Sequence, residues 1–373
     1  MRRDAMWRKA WAWWLILGLG VWGGWACELC FGRYDPDSDL AEDPRNPLQI
    51  RDAHGRLRDA TTPAEWAERR ARILQNVQKV MGPVPGPERR VPLDVRIEKE
   101  EPTPRYRRLK LTFAAEPGDR VPAYLLVPHA LAGKAPAALC LHQTVAIGKA
   151  EPAGLGGRRT LHYAHELASR GYVCIVPDYP SFGEYAYDFR KHPEYASGSM
   201  KAIWNNQRAV DLLQSLPEVD TSRIVAIGHS LGGHNAIFTA VFDQRIRAVV
   251  SSCGFTAFHA YYGGKLAGWT SNVYMPRIRH MYGNDPDRVP FDFHELLAAL
   301  APRPVFVNAP LHDHNFDCAG VKRVMAAADK VYRLWNAHAR LRAEYPDAAH
   351  DFPDAVRQAA YDWLDTCWKN AGQ

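Results

Sequence analysis

The sequence predicts an α/β fold, with a mostly parallel, twisted sheet of about eight or nine strands and helices on both faces. Two observations carry this prediction. Short, nearly continuous apolar runs, such as "GYVCIVPDY" at 171–179 and "RIVAIGHS" at 223–230, are typical of strands buried on both faces. Helical stretches separate these runs along the chain, and such an alternation indicates a parallel sheet.

The predicted elements follow in chain order. Three lead strands are predicted at 92–100, 106–115 and 121–128. The first two alternate polar and apolar residues, which predicts antiparallel strands with one solvent-facing side. The strands of the wound part are predicted at 137–143, 171–179, 223–230, 246–252, 303–310 and 340–346. Predicted helices between and after them cover 159–170, 198–215, 231–241, 293–300, 319–337 and 353–369.

We expect one folded domain, at residues 62–373. It begins with a capping box, "TPAE", which has proline at the first helical position and predicts an N-terminal helix over 62–81. Residues 27–61 are polar and proline-bearing, so they are predicted to be an irregular lead-in. Residues from about 254 to 291 interrupt the alternation of strands and helices and are predicted to form a small lid-like insertion.

Residues 1–26 have the composition of an export signal, with a basic start, an apolar stretch from Trp11 to Ala26 and small residues near its end. The apolar stretch is shorter than the roughly 20 residues that a membrane-spanning helix needs. Cleavage after Ala26 would leave Cys27 first, so a lipoprotein-type anchor is an alternative to a simple signal peptide. The chain is therefore expected to be exported, to the periplasm or outside the cell, with membrane contact only through an anchor at Cys27.

Charge and cysteine content narrow the classes of partner. The formal net charge is +6, and residues 1–26 carry half of it. The rest of the chain has no block of Lys and Arg, so no nucleic-acid partner is expected. Cys27 and Cys30 have CxxC spacing without a second pair, which argues against a zinc site, although one disulfide would suit an exported chain. The oligomeric state is left open.

Ser230 lies at the centre of the G-x-S-x-G pattern "GHSLG", directly after a predicted buried strand and before a predicted helix. A tight turn there would present the hydroxyl at the C-terminal edge of the sheet, and the glycines leave room for a strained backbone. Small residues also fill strand-to-helix turns that have no catalytic role. A serine without a base is inert near neutral pH, so the prediction depends on its partners.

Two downstream residues supply a base and an acid in the chain order that such a serine requires. Asp313 and His350 follow the last two predicted strands. All three residues thus lie in loops at the C-terminal ends of strands, which predicts Ser230 as nucleophile, His350 as base and Asp313 as its orienting acid. Asp317 is the rival acid, and we prefer Asp313 because it lies closer to the strand end.

Backbone N–H groups are expected to stabilise the oxyanion. The first is that of Leu231, directly after the serine, and the second is that of Gln143 or Thr144, after the strand at 137–143.

A metal centre is the alternative for the acid loop, because His312 and His314 flank Asp313 and could join His142 as ligands. No HExxH motif or second acidic cluster completes a hydrolytic metal site in the sequence. We therefore expect neither a metal nor an organic cofactor.

Several motifs resemble those of the α/β-hydrolase superfamily, in its dienelactone hydrolase and acetyl xylan esterase-like branch, which is related to the catalytic domains of prolyl oligopeptidases. They are "LCLHQT", "EPAGLGG", "PDYPSFGE", "GHSLGGHNA", "LAPRPVFV" and "HDFP", and the resemblance covers about residues 64–369. It implies the same nucleophile, base and acid, and ester hydrolysis through an acyl-enzyme. The chain departs from dienelactone hydrolases, which use a cysteine nucleophile, and from acetyl xylan esterases with glutamine after the serine, where it has Leu231.

We expect a serine esterase that acts on a small-molecule or oligosaccharide ester, with deacetylation of carbohydrates as the narrower hypothesis. In the insertion, Tyr261, Tyr262 and Trp269 could hold a sugar or aryl group, or could only pack the lid onto the sheet. Two alternatives stay open. One is a serine peptidase of the prolyl oligopeptidase type, and the other is a non-catalytic binding protein, which should lack a complete triad.

Overall fold

A computed structural model describes residues 42–52 and 54–370. The predicted export signal at 1–26 and the pair Cys27 and Cys30 lie outside these residues. The strands are β1 (Gln49–Arg51), β2 (Leu57–Asp59), β3 (Arg96–Pro102), β4 (Tyr106–Glu116), β5 (Asp119–Pro128), β6 (Ala135–Leu141), β7 (Val173–Pro177), β8 (Val219–His229), β9 (Ala248–Ser252), β10 (Val305–Asn308) and β11 (Leu341–Glu344). The α-helices are α1 (Pro63–Met81), α2 (Tyr163–Ser169), α3 (Gly198–Ser215), α4 (Leu231–Phe242), α5 (Arg277–His280), α6 (Phe293–Ala298), α7 (Cys318–Arg333) and α8 (Asp354–Asn370).

Nine strands form one sheet in the order β11-β10-β9-β8-β6-β7-β5-β4-β3. The strands from β6 to β11 are parallel to their neighbours among themselves, whereas β3, β4 and β5 add an antiparallel edge. Every residue of β7 and β9 is buried, while β3 at the edge exposes nearly all of its residues. The predicted fold class is confirmed, because continuous apolar runs form the buried parallel centre and alternating runs form the edge.

Helices cover both faces of the sheet. On one face, α2 and α8 bury Leu167 and Leu364 against strand residues that include Cys140 and Ile227. On the other face, α4 packs on β8, β9 and α3. Because β6, β8, β9, β10 and β11 run in the same direction, the loops after them meet at one edge, where ligands bind in sheets of this kind.

The N-terminal part of the described chain differs from the predicted irregular lead-in, since β1 and β2 form a short antiparallel hairpin. Asp52 stabilises its turn by accepting hydrogen bonds from the N–H groups of His54 and Arg56, at 2.8 and 3.0 Å. The following helix α1 starts after Thr62, whose hydroxyl oxygen accepts from the Glu65 N–H at 3.2 Å. Side chain-capped turns of this kind explain why a polar segment still folds locally.

Two further observations concern the described residues only. The cysteines that the structure describes are free thiols, at Cys140, Cys174, Cys253, Cys318 and Cys367. Within residues 42–52 and 54–370, no helix combines the length and the apolar composition that crossing a membrane requires.

Candidate active site

The turn at Ser230 joins β8 to α4 and holds the serine in a strained conformation. Its φ of 53° and ψ of −117° place it in a region that residues with side chains rarely adopt. Hydrogen bonds fix this backbone on both sides: the Ser230 N–H donates to the Ser252 carbonyl at 2.8 Å, and its own carbonyl accepts from the Gly233 N–H at 2.9 Å. A strained residue held in this way is characteristic of functional positions.

Close backbone contacts explain the two glycines of the motif. A Cβ atom added to Gly232 would overlap the carbonyl oxygen of Leu141, at the end of β6. One added to Gly228 would overlap the backbone of Gly232 itself. Because both side chains are absent, the start of α4 lies directly against the end of β6, and Leu231 and Thr144 reach the same cleft as the serine.

His350 and Asp313 form a hydrogen-bonded pair in the loops after β11 and β10. The His350 Nδ1 atom lies 3.0 and 2.9 Å from the two carboxylate oxygens of Asp313. Burial raises the pKa of Asp313, but the bond to His350 and the N–H groups of Phe316 and Asn315 together hold it below its usual value. Since an ionised carboxylate only accepts, Nδ1 carries the proton and Nε2 keeps the lone pair that a general base needs.

The base and the serine turn are neighbours. The ring of His229, which precedes Ser230 in the chain, lies edge-on to the His350 ring with the centroids 4.7 Å apart. Among the described residues, the Ser230 hydroxyl makes no hydrogen bond, so proton transfer to His350 requires the two side chains to approach. Catalytic hydrogen bonds of this type often tighten only when substrate binds.

Four side chains donate hydrogen bonds to the segment His350–Asp351, and we call them the base clamp: Arg158, Thr160, Cys253 and Asn308. At the surface, Arg158 donates from Nη1 to the His350 carbonyl at 3.1 Å. The Thr160 hydroxyl donates to the Asp351 carboxylate at 2.6 Å. These two residues therefore tie the base to the loop that follows β6.

The buried half of the base clamp acts on the Asp351 carbonyl. It accepts from Asn308 Nδ2 at 2.9 Å and from the Cys253 thiol at 3.3 Å. Burial, together with the charge of Asp313, raises the pKa of the Cys253 thiol well above its usual value, so the thiol keeps its proton. Asn308 Nδ2 also donates to the Ser252 hydroxyl oxygen at 2.8 Å, which joins the base clamp to the end of β9.

His229 connects the serine turn to the base clamp. Its Nε2 faces Arg158 Nη2 at 3.4 Å, and its Nδ1 lies 2.9 Å from the Ser252 hydroxyl. A guanidinium only donates, so Nε2 is the acceptor and Nδ1 donates to Ser252. Burial first, and then the charges of His350 and Arg158, hold the pKa of His229 well below its usual value, which keeps the ring neutral.

A small open cleft lies in front of Ser230. Its lining residues come from the serine turn, the insertion and the acid loop: Thr144, Ser230, Leu231, His234, Tyr261, Gly268, Trp269, Tyr274, Asn315 and Phe316. Two of the three predicted substrate-binding residues, Tyr261 and Trp269, are therefore cleft residues, with ring centroids 5.5 Å apart. Tyr262 is not among them; it is half exposed, and its hydroxyl donates to Asn315 Oδ1 at 3.1 Å.

The predicted oxyanion donors differ in position. Leu231 is the first residue of α4, so its N–H has no acceptor within the helix, and it lines the cleft beside Ser230. Thr144 also lines the cleft, whereas Gln143 does not. The Gln143 side chain instead donates to the Glu151 carboxylate at 2.8 Å. Of the two residues predicted to carry the second donor, Thr144 is thus the one that lines the cleft.

Two of the three histidines of the metal alternative have other partners. Both ring nitrogens of His142 are engaged, Nδ1 with the Gln143 carbonyl at 2.6 Å and Nε2 with the Tyr179 N–H at 2.9 Å. His312 is paired with Asp347 at 2.7 Å, near the surface. The third, His314, lies with its ring centroid 6.2 Å from that of His350.

A separate group of three potential metal ligands occurs in the described part of the chain. The ligand atoms of His229, Cys253 and His350 lie within 4.8 Å of one another. The Cys253 thiol keeps its proton, and the Arg158 guanidinium already faces His229 Nε2. A metal ion would need the thiolate form of Cys253, and the positive charge of Arg158 would repel it. The three side chains therefore suit the hydrogen-bond network better than an ion.

The other carboxylates near the site have structural partners. Asp317, the rival acid, caps α7 by accepting from the Gly320 N–H at 2.8 Å. Asp347 pairs with His312 at the surface, and Asp351 is held by the base clamp. The carboxylate that contacts the base is thus that of Asp313.

Sequence reasoning missed several cleft residues, and three of them had a detectable pattern. His234 lies four residues after Ser230, so helical periodicity places it one turn along the same face of α4. Asn315 and Phe316 lie two and three residues after Asp313, in the same loop. Arg158 and Thr160 carried no such pattern, because their role depends on how the loop after β6 meets the loop after β11.

Comparison with known proteins adds sequence relatives. A family model described as fungal glucuronyl esterase matches residues 184–336, a range that includes Ser230 and Asp313 and ends before His350. A carbohydrate esterase from an unknown prokaryotic organism is 28% identical over 174 residues, which are 43% of this chain and 40% of that protein. The 4-O-methyl-glucuronoyl methylesterase of Hypocrea jecorina is 26% identical over 159 residues, 38% of this chain and 34% of that protein. The chain thus spans less than half the length of either relative.

A solved structure extends the similarity over most of the fold. The glucuronoyl esterase from Solibacter usitatus superposes with a TM-score of 0.70 and 19% identity, covering 86% of this chain and 97% of that one. Similarity at this identity shows a shared fold. The sheet order, and the G-x-S-x-G turn between a central parallel strand and a helix, likewise match the α/β-hydrolase fold.

Proposed function

We propose that the chain is a serine hydrolase that cleaves carboxylic esters of carbohydrates through an acyl-enzyme. The observation that carries the proposal is the pairing of His350 Nδ1 with Asp313 at 2.9 Å, next to the strained turn at Ser230. This pairing leaves Nε2 as the nitrogen that can accept the serine proton.

In the proposed reaction, the Ser230 oxygen forms a bond to the ester carbonyl carbon while His350 Nε2 takes the hydroxyl proton. The oxyanion accepts hydrogen bonds from the N–H groups of Leu231 and Thr144. The tetrahedral intermediate then expels the alcohol, which leaves with the proton from His350. Water, activated by the same nitrogen, repeats the sequence on the acyl-enzyme and releases the acid and Ser230.

The carbohydrate part of the proposal is supported by the relatives and by the cleft. One relative is a carbohydrate esterase, and another acts as a methylesterase on glucuronoyl groups. In the cleft, Tyr261 and Trp269 present aromatic rings beside Ser230, and such rings pack well on the apolar face of a sugar. Both acetylated sugars and sugar-acid esters are therefore candidate substrates.

Hydrolysis of a small ester panel tests the proposal: 4-nitrophenyl acetate, acetylated xylobiose and benzyl glucuronate. We expect turnover of at least one sugar ester, and a fall of about a million-fold in kcat for Ser230→Ala, as in other serine hydrolases. Activity retained by Ser230→Ala would exclude this nucleophile. Cleavage of peptide amides in preference to all three esters would favour the peptidase alternative.

We also propose that the chain is exported, on the basis of the composition of residues 1–26. Export with processing predicts that the mature protein, expressed from the full sequence in bacteria, begins at Cys27. N-terminal sequencing and metabolic labelling with a fatty acid distinguish a cleaved signal peptide from a lipid anchor. A full-length cytoplasmic product would contradict the proposal.

A further inference from the structure

Two buried side-chain nitrogens of residues that line the cleft have no hydrogen-bond partner among the described residues: His234 Nε2 and Trp269 Nε1. Their residues are 5% and 3% exposed and lie beside Ser230. A buried polar atom without a partner costs about 1–3 kcal/mol. Because both residues line the cleft, a bound molecule is a candidate partner for each nitrogen.

The chemistry of His234 defines what can bind to it. Its Nδ1 lies 3.1 Å from the Gly254 carbonyl oxygen, which only accepts, so Nδ1 carries the proton. Burial lowers the pKa of His234 to about 3, and the ring is neutral near physiological pH. Its Nε2 is therefore an acceptor only. A carbonyl or carboxylate oxygen cannot bind there, whereas an O–H group can.

Trp269 presents the complementary atom, because an indole N–H only donates. The two rings lie edge to face, with centroids 4.8 Å apart and an interplanar angle of 60°. The wall therefore offers an acceptor next to a donor. A hydroxyl group both donates and accepts, and neighbouring hydroxyls on one ring can satisfy both atoms.

We propose that His234 and Trp269 form a hydroxyl-binding subsite for the polyhydroxylated part of the substrate. The inference rests on the proposed function, since it takes the Ser230 cleft to be the active site, and it narrows the substrate class. His234 lies one helical turn from the serine, so the hydroxyl must be a few bonds from the scissile carbonyl. Sugar esters meet this condition. Esters with a free carboxylate at the same place do not, because its oxygens would face the lone pair of His234.

Competition against a substrate without hydroxyls tests the subsite independently of sugar ester turnover. The substrate is 4-nitrophenyl acetate, and the inhibitors are methyl β-D-xylopyranoside and tetrahydropyran, its hydroxyl-free counterpart. We expect the xyloside to be a competitive inhibitor in the millimolar range and tetrahydropyran to be at least about tenfold weaker. Equal inhibition by the two compounds in the wild-type chain would overturn the proposal, and this comparison needs no variant.

Two substitutions locate the subsite. Trp269→Phe keeps an aromatic ring and removes the N–H. His234→Asn keeps a donor for the Gly254 carbonyl while removing the acceptor atom at the position of Nε2, which the shorter side chain does not reach. Each is expected to raise the inhibition constant of the xyloside about tenfold. Trp204→Phe is the matched control, because its indole N–H is already bonded to the Ala115 carbonyl at 3.0 Å. An unchanged inhibition constant in both subsite variants would overturn the proposal.

The proposed function and the subsite can fail separately. If the chain cleaves 4-nitrophenyl acetate through Ser230 but no sugar ester, the carbohydrate part of the proposed function fails. Selective inhibition by the xyloside would still support the subsite in that case. If sugar esters are cleaved and the xyloside binds no better than tetrahydropyran, the subsite fails while the esterase remains.

Discussion

The polar groups behind His350 and those in front of Ser230 are in opposite states. Behind the base, the donor groups of the base clamp are hydrogen-bonded to acceptors. Asn308 Oδ1 is its one buried atom without a partner in the described structure. In front of the serine, His234 Nε2 and Trp269 Nε1 are both unpaired. A satisfied network fixes the geometry of the base, whereas unpaired atoms at a cleft wall are suited to a group that enters from outside.

In this comparison, the largest loss of activity is expected when the acid that orients the base is replaced. Asp313→Asn should lower kcat about ten-thousand-fold, because an amide NH₂ can face His350 only if Nδ1 gives up its proton and Nε2 loses its lone pair. Asp317→Asn is the control, since that carboxylate caps α7 and does not contact the base. Steady-state hydrolysis of 4-nitrophenyl acetate measures both variants. Equal losses in the two would move the acid away from Asp313.

A smaller effect is expected on stability at low pH, because burial lowers the pKa of His142, His229 and His234. An unfolded histidine takes up a proton below about pH 6.5, whereas His234 in the folded chain does so only near pH 3. Acid therefore favours the unfolded state. Protonation of His234 in the unfolded chain should by itself lower the free energy of unfolding by about 2 kcal/mol between about pH 7 and pH 5.

Urea unfolding at several pH values measures this cost. The His234→Asn variant should lose stability less steeply than the wild-type chain as the pH falls from neutral to about 5. A slope that the substitution leaves unchanged would mean that His234 is charged or solvated in the folded chain, and its role as a neutral acceptor would then be wrong.

Removing a residue from the surface half of the base clamp should have a moderate effect on kcat. Arg158→Met removes the donors to the His350 carbonyl and to His229, so kcat should fall about tenfold while KM stays nearly constant. Arg159→Met, at the next and also exposed position, is the matched control and should leave both constants near the wild-type values. A rise in KM without a fall in kcat would place Arg158 in substrate binding instead of in positioning the base.

The smallest expected effect is a difference in stability between two variants, one that loses a hydrogen-bonded indole N–H and one that loses an unpaired indole N–H. Trp204→Phe leaves the Ala115 carbonyl without its donor, while Trp269→Phe breaks no hydrogen bond within the described structure. The first substitution should therefore reduce the unfolding free energy by about 1 kcal/mol more than the second. Chemical denaturation of the two variants measures this difference. Equal costs would show that Trp269 Nε1 has a partner in the free protein.

The sequence predicted the parts of the molecule that depend on local patterns. Apolar runs identified the parallel strands because burial on both faces leaves no room for polar residues. The predicted helix at 198–215 coincides with α3, and the short helix α2 is narrower than its predicted range. The positions of Ser230, Asp313 and His350 could be predicted because each is tied to the end of a strand.

Contacts between distant loops could not be predicted. Arg158 reaches the His350 carbonyl across 192 positions of the chain, and nothing in "GLGGRRT" indicates that partner. The roles of Tyr261 and Tyr262 could not be separated either, since the two adjacent tyrosines differ only in which one the insertion turns toward the cleft. His234 was missed although its spacing was visible, because an unpaired nitrogen is a property of the folded environment.

Labelling with a fluorophosphonate tests most directly whether His350, held by Asp313, makes Ser230 nucleophilic. Tandem mass spectrometry locates the adduct, and the rate of labelling reports the strength of the base. We predict a single adduct on Ser230, formed far more slowly in Asp313→Asn and at the wild-type rate in Asp317→Asn. An adduct on another serine, or equal rates in the two aspartate variants, would contradict the proposed triad.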